Sequence, residues 1–90
     1  YYIDDSIRVT DDEAVKMASF LSINDGLFWG SSSCINAVAA LRVALNAPKN
    51  SRIVIIACDN GSRHLSKFWK FASAVPKNIS IQDILEKNSP

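Results

Sequence analysis

The apolar positions of this chain change rhythm from one stretch to the next. Ala14, Met17, Ala18 and Leu21 recur at three- and four-residue spacing, one face of an α-helix running to about Ile23. Its start is legible: in Thr10-Asp11-Asp12-Glu13 the threonine accepts from the amide three residues on and the glutamate reaches back, a capping box. The acidic run suits the positive end of the helix dipole. Asn24-Asp25-Gly26 ends the helix, with Gly26 a natural left-handed cap. Leu27-Phe28-Trp29 then reads as a short apolar strand, and Gly30 to Ser33 as a tight turn. A second helix is expected from about Cys34 to Leu45, broken by Ala47-Pro48-Lys49-Asn50. Ile53-Val54-Ile55-Ile56-Ala57 is continuous and β-branched, the pattern of a strand buried on both faces of a parallel sheet. Ile7-Arg8-Val9 is a further short candidate strand. Leu65, Phe68, Trp69 and Ala72 form the stripe of a third helix. Residues 76–90 read as a less regular C-terminal tail, in which Ser80 and Asp83 cap a last short helix carrying Ile81, Ile84 and Leu85. The fold class expected is α/β, parallel strands flanked by helices, with a right-handed strand–helix–strand unit.

The second helix carries a further implication. In Ile35 to Leu45 only Asn36 and Arg42 are polar; Cys34, Val38, Leu41 and Leu45 make one apolar face and Ala37, Ala40 and Ala44 another. A helix apolar all round is a buried helix, and a domain of 90 residues buries too little surface to wrap one. Residues 1–90 are therefore read as a single segment of a larger α/β protein or of a tight assembly. Expressed alone, the segment is expected to aggregate or stay molten; a sharp cooperative melt contradicts that.

Composition narrows the partners. Ten basic and nine acidic residues leave a net charge of +1, without the basic stripe of a nucleic-acid binder. The longest apolar run is too short to span a bilayer. Tyr1-Tyr2-Ile3-Asp4-Asp5 has neither the basic start nor the apolar run of a secretory signal. Cys34 and Cys58 lack metal-ligand spacing, and with His64 as the single histidine no metal site is expected. The two cysteines read as free, buried thiols in a reducing, intracellular compartment, cytoplasmic or mitochondrial.

Candidate chemistry lies in two polar clusters. Ligands of an open parallel sheet bind beyond the carboxyl ends of its strands. Gly30-Ser31-Ser32-Ser33 follows the first strand of the unit and Cys58-Asp59-Asn60-Gly61-Ser62 the second, so neighbouring strands would bring both to one crevice. Four readings of the serines compete: a helix cap, an anion site at a helix N-terminus, a nucleophile elbow, and a hydroxyl donating to a heteroaromatic cofactor nitrogen. The elbow pattern G-x-S-x-G needs a second glycine where Cys34 stands. A cap accounts for one serine but not three. Asp59 resembles a phospho-acceptor or metal carboxylate but lacks an acidic neighbour; the plainer reading is an Asx turn by Asp59 or Asn60. Trp29 and Trp69 read as core or interface residues, and Lys67 and Lys70 as a solvated helix face.

The stretch DDSIRVTDDEAVKMASFLSINDGLFWGSSSCINAVAALRVA resembles the late part of the cysteine synthase and cystathionine β-synthase family. That family's pattern runs V-T-D-E-E-A, then E-E-G-I-x-x-G-x-S-S-G-A-A-V-A-A-A-L, then a strand and P-S-S-G-E-R-Y-L-S. The last element here is Cys58-Asp59-Asn60-Gly61-Ser62-Arg63-His64-Leu65-Ser66. Its cysteine–aspartate variant is similar to the B-type O-acetylserine sulfhydrylases, with a fungal type of cysteine synthase-like protein the nearest image. The match covers about residues 5 to 70.

The resemblance implies the C-terminal part of a fold type II, tryptophan synthase β-like enzyme that uses pyridoxal 5'-phosphate. The activity implied is β-elimination and β-replacement on O-acetylserine or a similar activated serine. Ser32 matches the serine that hydrogen-bonds the cofactor's pyridine nitrogen. Cys58 matches a position beside the ring, often proline. Asp59 and Asn60 fall near the ring or the site mouth, as turn or substrate contact; Ser33 falls as the helix cap, and Ser31 where relatives vary. The family's Schiff-base lysine and phosphate-holding loop lie upstream, so no catalytic residue is expected in this chain, which alone should be inactive. The partners implied are the remainder of its own enzyme, a second copy in a homodimer, and an amino-acid substrate. Cys34 replaces the family glycine, and Ser62 and His64 the usual glutamate and tyrosine; these departures motivate the alternative of a non-catalytic relative with the same fold. An unrelated phosphate-binding module would need a Gly-rich loop that this chain lacks.

Overall fold

The computed structural model describes residues 6–60, 68–76 and 78–85. Local signals set the first helix, α1 (Asp11–Asp25). Thr10 Oγ1 accepts from the Glu13 amide (3.2 Å), and the Thr10 amide donates back to Glu13 Oε1 (2.9 Å). At the other end Gly26 takes φ 67°, and the Leu27 amide reaches back to the Leu21 carbonyl (3.2 Å), closing the helix with a left-handed cap.

The second helix, α2 (Ser31–Asn46), starts three residues earlier than its apolar pattern predicts. The serines expected in a turn form its first turn, with Gly30 as N-cap. A short third helix, α3 (Phe68–Ser73), follows, and then one 3-10 turn at Ile81–Asp83. There Asp83 accepts from the Ser80 amide (2.8 Å) and hydroxyl (3.0 Å), the cap expected for that stretch. The Ser80 amide, then its hydroxyl, hold the Asp83 carboxyl below the usual aspartate range. Leu65 of the predicted third stripe, with Lys67 and His64, lies outside the described residues.

Helix α1 packs on both α2 and α3. Ala14, Met17 and Ala18 of α1, Cys34, Ala37 and Val38 of α2, Ala72 of α3 and Ile84 form the buried core. Small residues let the helices approach closely, and Ile84, expected on the last short helix, is fully buried with them. One buried ion pair crosses the core: Glu13, which is wholly buried, meets the Arg42 guanidinium of α2. Glu13 thus both caps its own helix and ties it to the next.

The parallel strands expected at 7–9, 27–29 and 53–57 are not formed among the described residues. One isolated antiparallel bridge, Trp29 to Asn60, stands in their place. The reason is pairing: a strand needs a neighbour on its hydrogen-bonding edge, and residues 53–57 find none among the described residues. They lie along α2, where Asn36 Nδ2 donates to the Ile56 carbonyl (2.9 Å), with Val54 88% and Ile56 68% exposed. Helix α2 is likewise buried on one side only, since Ile35, Val43 and Leu45 face solvent. Among the described residues no helix is long and apolar enough to cross a membrane.

Candidate functional site

The two polar clusters do meet, through the antiparallel bridge. The Gly30 amide donates to the Asp59 carbonyl (3.3 Å), joining the serine turn to the second loop. A Cβ on Gly30 would strike the Asp59 carboxylate and lie 2.8 Å from the Asn60 carbonyl oxygen, so only glycine lets the backbones come this close. Above the bridge, Trp69 Nε1 of α3 donates to the Trp29 carbonyl (3.1 Å), and its ring stacks obliquely on Phe28 at 4.7 Å between centroids. The two tryptophans therefore brace the chain where it enters the serine turn.

Gly30 has no side chain with which to cap α2, and the first turn of α2 contains no acidic residue. Asp59 supplies both needs from the other loop. Its Oδ1 accepts from the Ser33 amide (2.9 Å) and its Oδ2 from the Ser32 amide (3.3 Å). A carboxylate here also complements the positive end of the helix dipole. The anion reading of this N-terminus is thereby corrected, because a side chain of the same chain already occupies the place an anion would take.

The three serines, indistinguishable in sequence, separate. Ser33 is buried; its hydroxyl lies 2.6 Å from Asp59 Oδ1 and 2.8 Å from the Asp59 carbonyl, and accepts from the Asp59 amide (3.0 Å). Ser33 is therefore not the N-cap expected of it, but a clasp to the residue that performs the capping. Ser31, half-buried, lines a cavity of about 300 Å³ with Asp11, Ala14, Val15, Ile35, Phe68 and Phe71. Ser32 is exposed, and among the described residues its hydroxyl has no hydrogen-bond partner.

The cysteines differ from the expectation of two buried thiols. Cys34 is fully buried, its Sγ 4.0 Å from the Trp29 carbonyl. Burial, and secondly the Asp59 charge, push its thiol up to about 12. Cys58 is exposed, because the stretch that carries it lacks cover; its Sγ lies 4.0 Å from Ser33 Oγ. Among the described residues no group of three His, Cys, Asp or Glu side chains gathers to hold a metal. Nothing local in the sequence marks Gly30 as a close-approach residue or Asp59 as a cap. The one signal for either was that both clusters should face one crevice.

No protein-family model matches the chain, and no solved structure does. Named proteins do. Over 84 residues, 93% of this chain, it is 58% identical to a Saccharomyces cerevisiae protein named "Putative mitochondrial cysteine synthase". It is 54% identical over 68 residues, 76% of the chain, to cysteine synthase 2 of Neurospora crassa. It is 49% identical over 77 residues, 86% of the chain, to cysteine synthase 2 of Schizosaccharomyces pombe. The chain belongs to the cysteine synthase family. It spans 21%, 15% and 20% of the lengths of these three relatives, so it corresponds to a segment of a cysteine synthase.

Proposed function

We propose that the chain is the part of a pyridoxal 5'-phosphate-dependent cysteine synthase, of fold type II, that meets the pyridine nitrogen of the cofactor. The observation that carries the reading is the sorting of the serines: Ser33 is buried against Asp59, while Ser32 keeps an exposed, uncommitted hydroxyl. Such a hydroxyl fits an aromatic nitrogen, which needs one donor. It fits a phosphate poorly, since the Ser32 and Ser33 amides are already bonded to Asp59. Cys58, exposed and beside the same turn, lines the ring, with Asn60 at the mouth.

When bound, the cofactor supplies an electron sink for β-elimination and β-replacement on O-acetylserine or a similar activated serine. Ser32 orients the ring by donating to its nitrogen. A serine hydroxyl is a weak acid and leaves that nitrogen unprotonated, whereas a carboxylate in its place would hold a proton there. The milder sink suits a reaction whose electrons leave with the leaving group. The lysine that removes the substrate proton, and the loop that holds the cofactor phosphate, belong to the remainder of the enzyme. That remainder, and a second copy in a homodimer, cover Val54, Ile56, Val43 and Leu45. Between cytoplasm and mitochondrion, the name of the Saccharomyces relative favours the latter. The alternative of a non-catalytic relative rests on Cys34 in place of the family glycine and on the altered loop at Ser62 and His64, which lies outside the described residues. Cys34 packs into the core, about 200° around the helix from Ser32, and adds no bulk on the Ser32 face.

The test is Ser32→Asp and Ser32→Ala in the intact enzyme, following the visible spectrum of the bound cofactor and cysteine formation from O-acetylserine. Both variants are expected to shift the spectrum, and Ser32→Asp to lower turnover on the order of a hundredfold, the scale of a misplaced or mistuned reacting group. Unchanged spectrum and turnover in both would overturn the reading.

A further inference from the structure

We infer that Asp59 is the positioning residue of the serine turn: it sets the rotation of the first turn of α2, so that Ser33 is withdrawn and Ser32 presents its hydroxyl. The inference deepens the proposed role of Ser32 and rests on it.

Residues 31, 32 and 33 stand about 100° apart around a helix. Which hydroxyl faces outward depends on how the first turn is held, and a helix N-terminus is held through its unpaired amides. Residue 30 cannot hold them, being glycine. The Asp59 carboxylate does, one oxygen on the Ser33 amide (2.9 Å) and the other on the Ser32 amide (3.3 Å). The clasp is reciprocal. The Asp59 amide donates to Ser33 Oγ (3.0 Å), and that oxygen lies 2.6 Å from Asp59 Oδ1. Rotating the turn to present Ser33 breaks every one of these contacts, and presenting Ser31 turns the Ser32 and Ser33 amides off the carboxylate. Gly30 completes the device, because any side chain there displaces the carboxylate. Asp59 is thus neither a substrate contact nor a local turn residue. Its carboxylate is engaged on the helix whose first turn presents Ser32, and it acts through that backbone without touching the ring.

The test is a double-mutant cycle in the intact enzyme, read by the spectrum of the bound cofactor and by kcat and KM for the amino-acid substrate. Asp59→Ala is expected to keep the cofactor bound, to shift its spectrum in the direction of Ser32→Ala, and to lower kcat on the order of tenfold to a hundredfold with KM little changed. In the Ser32→Ala background, Asp59→Ala is expected to add little, since no hydroxyl is left to position. If Asp59→Ala leaves the spectrum unshifted, or lowers kcat as much with Ser32 absent as with it present, the inference is overturned while the Ser32 reading stands. If Ser32→Ala itself changes nothing, the Ser32 reading falls first. Should Asp59→Ala fail to fold, Ser33→Ala opens the other half of the clasp. It is expected to give the same spectral shift, and an unshifted spectrum there overturns the inference equally.

Discussion

The two long helices of this segment begin in opposite ways. Helix α1 is capped from within: Thr10 and Glu13, three residues apart, satisfy each other's amides. Helix α2 is capped from without, by Asp59, 26 residues beyond the serine whose amide it accepts. A local cap makes a helix start wherever the motif occurs, whether or not the rest of the protein is in place. A distant cap makes the helix start conditional on the approach of the second loop. The difference falls where function would use it: the self-sufficient end builds the core, and the conditional end carries the serines.

Three measurements on the intact protein, beside the two variant series above, can break or sharpen this contrast. The largest effect belongs to the local end. Glu13→Ala removes both the reciprocal cap and the buried partner of Arg42, and is expected to cost about 3–5 kcal/mol of stability in denaturant unfolding, the range for breaking a buried ion pair. A loss under about 1 kcal/mol would make the α1 end a cap and nothing more. Next comes the conditional end. Gly30→Ala drives the Asp59 carboxylate away and is expected to cost about 1–3 kcal/mol as overpacking, together with a cofactor spectrum like that of Asp59→Ala. Full stability and an unchanged spectrum would show that the close approach of the loops is dispensable.

The most gradual effect is a pH dependence. Cys34 sits just inside the conditional end, with its thiol pushed up to about 12 from 9.0 by burial and by Asp59. Its neutral form favours the folded state fully below pH 9.0, and that contribution is lost as pH rises towards 12. Stability should decline across that window by at most about 1.4 kcal/mol per pH unit from this one group.

Legibility in the sequence follows the reach of each interaction. The capping box of the first helix and the Ser80–Asp83 cap of the last turn are each legible within three residues, and the Gly26 stop, closed from Leu27 back to Leu21, within six. The start of α2 was misread by three residues, because a run of serines after glycine looks like a turn when nothing local caps it. The β-branched run at 53–57 was read as a buried strand, since its side chains ask for cover on both faces. Among the described residues that cover and the pairing partner are missing, so the composition of a strand is present without its ladder. Ile84 is placed by its pattern on the last short helix, but that it joins the buried core depends on tertiary packing.

The sequence by itself determined where helices can form, which residues can cap them locally, and which two polar clusters are the candidates for chemistry. Those depend on hydrogen bonds and side-chain spacing within a turn or two of helix, which periodicity records. Only the tertiary structure decided which of three identical hydroxyls is withdrawn and which is presented. That choice rests on one carboxylate 26 residues away and on a glycine that gives it room, and no local pattern records the direction from which a distant residue arrives.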